Sequence, residues 1–161
     1  MDVVLDAYPV DSVREIGGGF IVKGPWKQEV VTVEGDELSF DDIEHGIVRE
    51  RFDEPRVHYG FNCASFGCPN LKPSAWRAET LDADLDDAAR AFVASDRGVW
   101  LKGEKVYASS IFKWFQEDFG GSEKGVIAHL LPYAEGEKKA ALAKATKISG
   151  YDYDWDLNEA E

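Results

Sequence analysis

Between Thr80 and Ser95 the chain carries Leu85, Ala88, Ala89, Phe92 and Val93 at i, i+3, i+4, i+7 and i+8, with acids crowding the first turns. This spacing predicts an amphipathic helix opened by Thr80 or Asp82, whose apolar face has to be buried against another element. The next segment, VWLKGEKVYAS, supplies one: two strand-forming runs about a turn at Gly103 and Glu104, a hairpin. Ser109 or Ser110 then caps a helix rich in Ile111, Phe112, Trp114 and Phe115 that stops by Gly120. Ser122 starts another, which Pro132 closes, and GEKKAALAKA makes a third. Strand and helix periods intermix without the regular alternation of a parallel sheet. The expected class is α+β, with helices packed on a small, mainly antiparallel sheet.

The first half is more irregular. Val3, Val4, Ala7 and Tyr8 have helical spacing with no cap before them, Pro9 ends that stretch, and Asp11 caps a short turn through Ile16. Gly17, Gly18 and Gly19 break the pattern ahead of Phe20, Ile21 and Val22; lacking a Lys-Ser or Lys-Thr ending, they predict a turn and not a phosphate loop. Gln28 to Val33 reads as a strand closed by Glu34, Gly35 and Asp36. Ser39 with Asp42 predicts a capping box for a helix to about Val48, with Phe40, Ile43 and Ile47 on its apolar stripe and Glu44 and His45 aboard. RVHYGFN alternates Val57, Tyr59 and Phe61 with His58, Gly60 and Asn62, the period of a half-buried strand, and CASFGCPNLKP comes after it as a loop. At the end, Tyr151, Tyr153, Trp155 and Leu157 alternate with Asp152, Asp154 and Asp156, which predicts a docked edge strand with its carboxylates outward. With 161 residues and no internal repeat or linker, one domain over 1–161 is expected.

Charge narrows the function classes. A formal charge of −13 repels phosphate backbones and anionic lipid, so neither nucleic acid nor a membrane surface is an expected partner. The acids cluster at Asp41 and Asp42, at Asp82 to Asp87 and at Asp152 to Asp156, a distribution expected of a halophile-like protein whose stability rises with salt. No basic leader followed by an apolar run opens the chain, so a cytoplasmic location is expected. Two cysteines cannot build a disulfide framework, and no cofactor motif is present.

The chemistry centres on Cys63, where an alternating segment runs into a loop beside Asn62, Ser65 and Gly67. Cys68 lies five residues on; a disulfide, a nucleophile with its resolving thiol, or a coincidence of loop composition all fit that spacing. Structural zinc is not expected, because His45 and His58 do not form the His-x3-5-His pair that would complete such a site with Cys63 and Cys68. A cysteine nucleophile needs an imidazole to take its proton or to hold the thiolate. An extended RVHYGFN puts His58 roughly 16 Å from Cys63, beyond reach, and leaves it a substrate-binding role. His129, flanked by Ile127, Ala128, Leu130 and Leu131, reads as a packing residue. His45 remains, with Asp41 and Asp42 one turn behind favouring its imidazolium form. Glu44, its neighbour, points about 100° away on a helix, so any role for it lies in substrate binding or in positioning the loop.

The segments DIEHG, HYGFNCASFGCP and SSIFKWFQEDFG, with DLDDAARAFVAS and YDYDWDLN, resemble the family catalogued as domain of unknown function 547, and the likeness runs from DAYPV to DWDLN. The resemblance implies a papain-like or transglutaminase-like fold and a cysteine-centred site at Cys63, with His45 and Glu44 as catalytic partners; Asn62, Ser65 and His58, beside them in the sequence reading, are expected to bind substrate. It also implies an Asn-containing helix upstream of Val3, so that the chain is expected to be truncated at its N-terminus. Three functions fit: a thiol-dependent hydrolase or acyltransferase, with Asn62 or loop amides near the oxyanion; a module binding glutathione or another small thiol; and a non-catalytic scaffold for peptides.

Overall fold

In a computed structural model of the chain, residues 2–17 and 24–159 are described. The expected turn at Gly18 and Gly19 and the apolar Phe20 to Val22 lie outside them. The chain divides into two compact units: residues 1–54, 63–66 and 155–161, and residues 55–62 and 67–154. It is α+β throughout.

The first unit begins with α1 (Asp2–Ala7), succeeded by a 3-10 turn over Val13–Glu15. Its cap is Ser12, not Asp11: Oγ of Ser12 accepts the Arg14 amide at 3.4 Å and donates to the Trp155 carbonyl at 2.6 Å. Strands β1 (Glu29–Val33) and β2 (Asp36–Ser39) form an antiparallel hairpin with Val33 opposite Asp36. Glu34 and Gly35 turn it with φ of 53° and 100°, the two positive values that match a two-residue connection to the twist of the strands. Ser39 and Asp42 form the expected reciprocal box, the Asp42 amide donating to Oγ of Ser39 at 3.1 Å and the Asp42 carboxylate accepting the Ser39 amide at 2.9 Å. This box opens a π-helix over Asp42–Val48, continued by the short α2 (Arg49–Arg51). Among the described residues of this unit only Val13, Ile16, Pro25, Ser39 and Ser65 are buried, so its core is small.

The second unit holds the main core. Helix α3 (Leu81–Ala94) buries Leu85, Ala89, Phe92 and Val93, the predicted stripe. It packs with the hairpin of β3 (Val99–Lys102) and β4 (Lys105–Ser109), which turns at Gly103 and Glu104 and pairs Trp100 with Tyr107. Helices α4 (Ile111–Trp114), α5 (Glu123–Leu130) and α6 (Gly136–Lys144) come next. The α-helix at Ile111 stops four residues in and continues as turns to Gly120, which still buries Phe119. Ser122 caps α5 as expected, accepting the Gly125 amide at 3.1 Å. Strand β5 (Tyr151–Asp152) joins β4 in parallel, so the sheet is mixed. Tyr59, Phe92, Phe112 and Phe119 meet in the middle of this core, each buried aromatic contributing about 1.5–3 kcal/mol.

The half-buried strand expected at RVHYGFN does not form. Pro55–Tyr59 is a 3-10 helix, in which His58 and Tyr59 are both buried, so the burial tracks a turn and not an alternation. Pro55 fixes φ for such a turn at its first position, a local signal stronger than six alternating residues. The extended-chain length that set His58 aside therefore does not apply. The acidic end does alternate, with Tyr151 and Tyr153 half-buried in the second unit and Trp155 and Leu157 in the first, while the intervening aspartates are exposed. Only Tyr151–Asp152 is a strand; Asp156 and Leu157 make single bridges, to Ser12 and Ser65.

Candidate functional site

Cys63 opens a short turn, Cys63–Phe66, that belongs to the first unit. Three backbone contacts fasten it to the chain end: the Phe66 amide donates to the Asp156 carbonyl at 2.8 Å, the Asn158 amide donates to Ala64 at 2.9 Å, and Ser65 bridges Leu157. Within this turn Ala64 has φ of 64°, the left-handed region that an alanine adopts only at a cost of roughly 1–2 kcal/mol. Ser65 is 0% exposed and its Oγ lies 3.0 Å from Sγ of half-buried Cys63. When the sulfur is a thiolate, that hydroxyl is the donor.

The same unit contributes the π-helix that carries Glu44 and His45. Its backbone runs with the Arg49 amide bonded to the Glu44 carbonyl, five residues back, a winding concentrated at functional sites. Burial pushes the Glu44 carboxyl above its usual range; His45 and Arg49 pull it down, and Asp41 and Cys63 push it up. His45 is exposed, and Nδ1 lies 2.9 Å from a guanidinium nitrogen of Arg49. The Asp42 carboxylate, expected to favour the imidazolium, bonds Ser39. Arginine has no acceptor, so it donates and Nδ1 accepts, an arrangement open to the neutral ring.

The remaining candidates lie in the second unit. His58 is 4% exposed, stacked on Phe115 at 4.2 Å between ring centres, with Nε2 at 2.7 Å from a carboxylate oxygen of Asp118. Asn62 donates its amide to the Pro69 carbonyl at 2.8 Å. Cys68 is buried, and Arg97 ties its loop by donating to the Cys68 carbonyl at 3.2 Å and to Oδ1 of Asn70 at 2.6 Å. His129 is the packing residue expected: its Nε2 meets the Tyr59 hydroxyl at 2.8 Å, and burial holds the Tyr59 phenol well above its usual range. Cys63, Glu44, His45 and Ser65 thus share one unit, whereas Asn62 and His58 belong to the other.

Arg49 and Asp118 are not singled out by the sequence. The spacing His45-x3-Arg49 is the available signal for the first; the bond of His58 to Asp118 spans 60 residues and has none. The conformation of Ala64 is equally silent in sequence, since alanine marks no turn type. Among the described residues, no group of three or more His, Cys, Asp and Glu side chains is placed to hold a metal, and no helix is long and apolar enough to cross a membrane.

Compared with known proteins, residues 7–93, over half of the chain, match the family described as "Protein of unknown function, DUF547". The chain belongs to this family. The matched DUF547 stretch contains the Ser39–Asp42 box, the π-helix with Glu44, His45 and Arg49, the Cys63 turn and all but the last residue of α3. No curated protein and no solved structure matches.

Proposed function

We propose that this DUF547 protein is a thiol-dependent hydrolase or acyltransferase, with Cys63 as nucleophile and Glu44 and His45 as its partners. The observation that carries the reading is the Cys63 turn, where a half-buried thiol lies 3.0 Å from a fully buried hydroxyl beside an alanine held at φ of 64°. Backbone strain of this kind costs about 1–3 kcal/mol and clusters where geometry serves chemistry. The π-helix at Glu44 and His45 is a second such anomaly in the same unit.

In the proposed reaction, of the papain-like or transglutaminase-like kind, the thiol proton passes to a partner side chain and Sγ bonds to a carbonyl carbon. The bond from that carbon to the leaving group then breaks, and the leaving group takes up the proton. Water, or an acceptor nucleophile, cleaves the resulting thioester and restores the thiol. Reaction with p-nitrophenyl acetate, with peptide mapping of the product, tests this. The expected result is an initial burst of nitrophenolate with the acetyl group on Cys63, abolished in Cys63→Ala. Acetyl on Cys68, or faster iodoacetamide labelling of Cys68 than of Cys63, overturns it. Mixed disulfide formation at Cys63 with glutathione disulfide, without any acyl turnover, replaces it with the thiol-binding reading.

A further inference from the structure

We infer that the chain-end segment Trp155 to Asn158 is the positioning element of Cys63: docked, it holds the Cys63–Phe66 turn in the conformation that sets Ser65 against the thiol, and released, it lets that conformation go. The inference rests on the cysteine reading above for its catalytic meaning, but its geometry stands without it. All the residues concerned belong to the first unit. The segment runs between two others and bonds both. On one side the Leu157 amide donates to the Asp11 carbonyl at 2.8 Å, Oγ of Ser12 donates to the Trp155 carbonyl at 2.6 Å, and Ser12 bridges Asp156 in antiparallel register. On the other side the Asp156 carbonyl accepts the Phe66 amide at 2.8 Å, the Asn158 amide donates to the Ala64 carbonyl at 2.9 Å, and Leu157 bridges Ser65 in the same sense. Trp155 and Leu157 thus bond one neighbour and Asp156 and Asn158 the other, the alternation of an extended backbone. The Trp155 ring adds an anchor, edge-on to Trp26 at 6.2 Å between ring centres and with the Arg14 guanidinium 5.1 Å from its own centre.

The turn needs this hold. Ala64 sits at φ of 64°, and an alanine side chain has no polar atom with which to fix a left-handed conformation as asparagine does. The bonds to the Ala64 carbonyl and to the Phe66 amide brace the turn on either side of Ser65, and both come from the chain end. Between them Ser65 is fully buried with its Oγ at 3.0 Å from Sγ of Cys63. Rotation of Ala64 out of the left-handed region turns the peptide that carries Ser65, and the hydroxyl leaves the thiol. Residues 155–158 lie beyond the stretch 7–93 that matches DUF547, so a turn inside the match is braced by a segment outside it. Docking of the chain end and support of a Cys63 thiolate are then one event.

Amide hydrogen exchange by NMR, beside iodoacetamide labelling of Cys63 against pH with Cys68 as internal reference, tests the coupling in the full chain. In the wild type the Phe66, Leu157 and Asn158 amides are expected to open together. Trp155→Ala, which removes the anchoring ring, is expected to speed their exchange about tenfold. Because a hydroxyl donor favours the thiolate, the Cys63 titration midpoint is expected to rise in that variant by about one unit. Both effects should be largely reversed in Trp155→Phe, with Cys68 labelling unchanged throughout. Ser12→Ala, which removes one hydroxyl and no ring, is expected to move exchange and midpoint in the same direction by less, and it decides the matter if Trp155→Ala does not fold. Faster exchange with an unchanged Cys63 midpoint overturns the positioning role, as does opening of the Phe66 amide apart from those of Leu157 and Asn158. Exchange unchanged in both variants overturns the anchoring. Absence of a Cys63-dependent burst with p-nitrophenyl acetate defeats the acyl-transfer reading alone, because the chain end is judged by exchange and alkylation.

Discussion

Replacing Ser65 with alanine removes a polar contact that Cys63 makes within its own turn. The Oγ···Sγ separation of 3.0 Å is short for a bond to sulfur, and Ser65 is 0% exposed, so water does not take over when the hydroxyl is removed. A neutral hydrogen bond contributes about 1 kcal/mol and one to an ion about 1.5–3 kcal/mol, so the hydroxyl favours thiolate over thiol by roughly 1–2 kcal/mol. One unit of titration midpoint corresponds to about 1.4 kcal/mol. The Cys63 midpoint in Ser65→Ala is therefore expected about one unit above that of the wild type, and alkylation below the midpoint about tenfold slower. Alanine fits the space of serine, so the cost to stability is expected to stay near 1 kcal/mol by urea denaturation. The assay is the rate of iodoacetamide labelling against pH, with Cys63 and Cys68 peptides resolved by mass spectrometry. Coincident midpoints, or a lower one in Ser65→Ala, refute the idea that the buried hydroxyl supports a thiolate.

Four further outcomes are expected. Because burial raises the Glu44 carboxyl, the folded state binds its proton more tightly than the unfolded chain, so its contribution to stability is complete below the ordinary glutamate range and is lost as pH rises through the folded value; melts of Glu44→Gln against pH should lack that decline and exceed the wild type at neutral pH. Gly98→Ala would place Cβ 2.1 Å from the Phe92 carbonyl oxygen, and urea denaturation should show a loss of about 3 kcal/mol. Asn158→Pro removes the amide that donates to Ala64 at 2.9 Å, and should cost about 1 kcal/mol in the same assay while altering the Cys63 labelling rate. The melting temperature should rise from 0.05 to 2 M potassium chloride, since the excess of 31 acids over 18 bases leaves repulsion for salt to screen; a flat or falling profile excludes saline adaptation.

Long amphipathic segments are legible because their burial is decided locally. Helix α3, the β3–β4 hairpin and the Ser122 cap of α5 each combine an apolar period with a stop or cap residue, and the structure places them as the pattern predicts. RVHYGFN misleads because seven residues are too few to separate a period of two from a 3-10 turn, and the preceding Pro55 outweighs the alternation. At the site, Cys63 and Ser65 can be picked out by residue type. The π winding cannot, since it leaves the residue pattern of an ordinary capped helix. The contact of His45 with Arg49 is not legible when carboxylates are counted by separation along the chain, and the Asp42 carboxylate serves the Ser39 cap.

The acid clusters show how far charge alone can be read. In α3, Asp82 and Asp86 hold the Arg56 guanidinium at 2.7 Å each, Asp84 meets Lys72 at 2.9 Å, and Asp86 also meets Arg90 at 3.0 Å. Hydrogen bonding from Lys72 to Asp84 and from Arg56 to Asp86 holds both carboxyls below their ordinary range, so this contribution to stability is present at neutral pH and is lost as pH falls through the folded values. The densest acidic run is thus paired with basic side chains, and screening there weakens attractions. Such exposed pairs contribute little each, however, and a neutral pair leaves the charge of −13 untouched. The net repulsion is that of the whole surface, to which the exposed Glu34, Asp36 and Glu37 around the hairpin turn contribute. Salt therefore acts with opposite signs on the paired run and on the net repulsion, and the net rise expected on melting comes from the second.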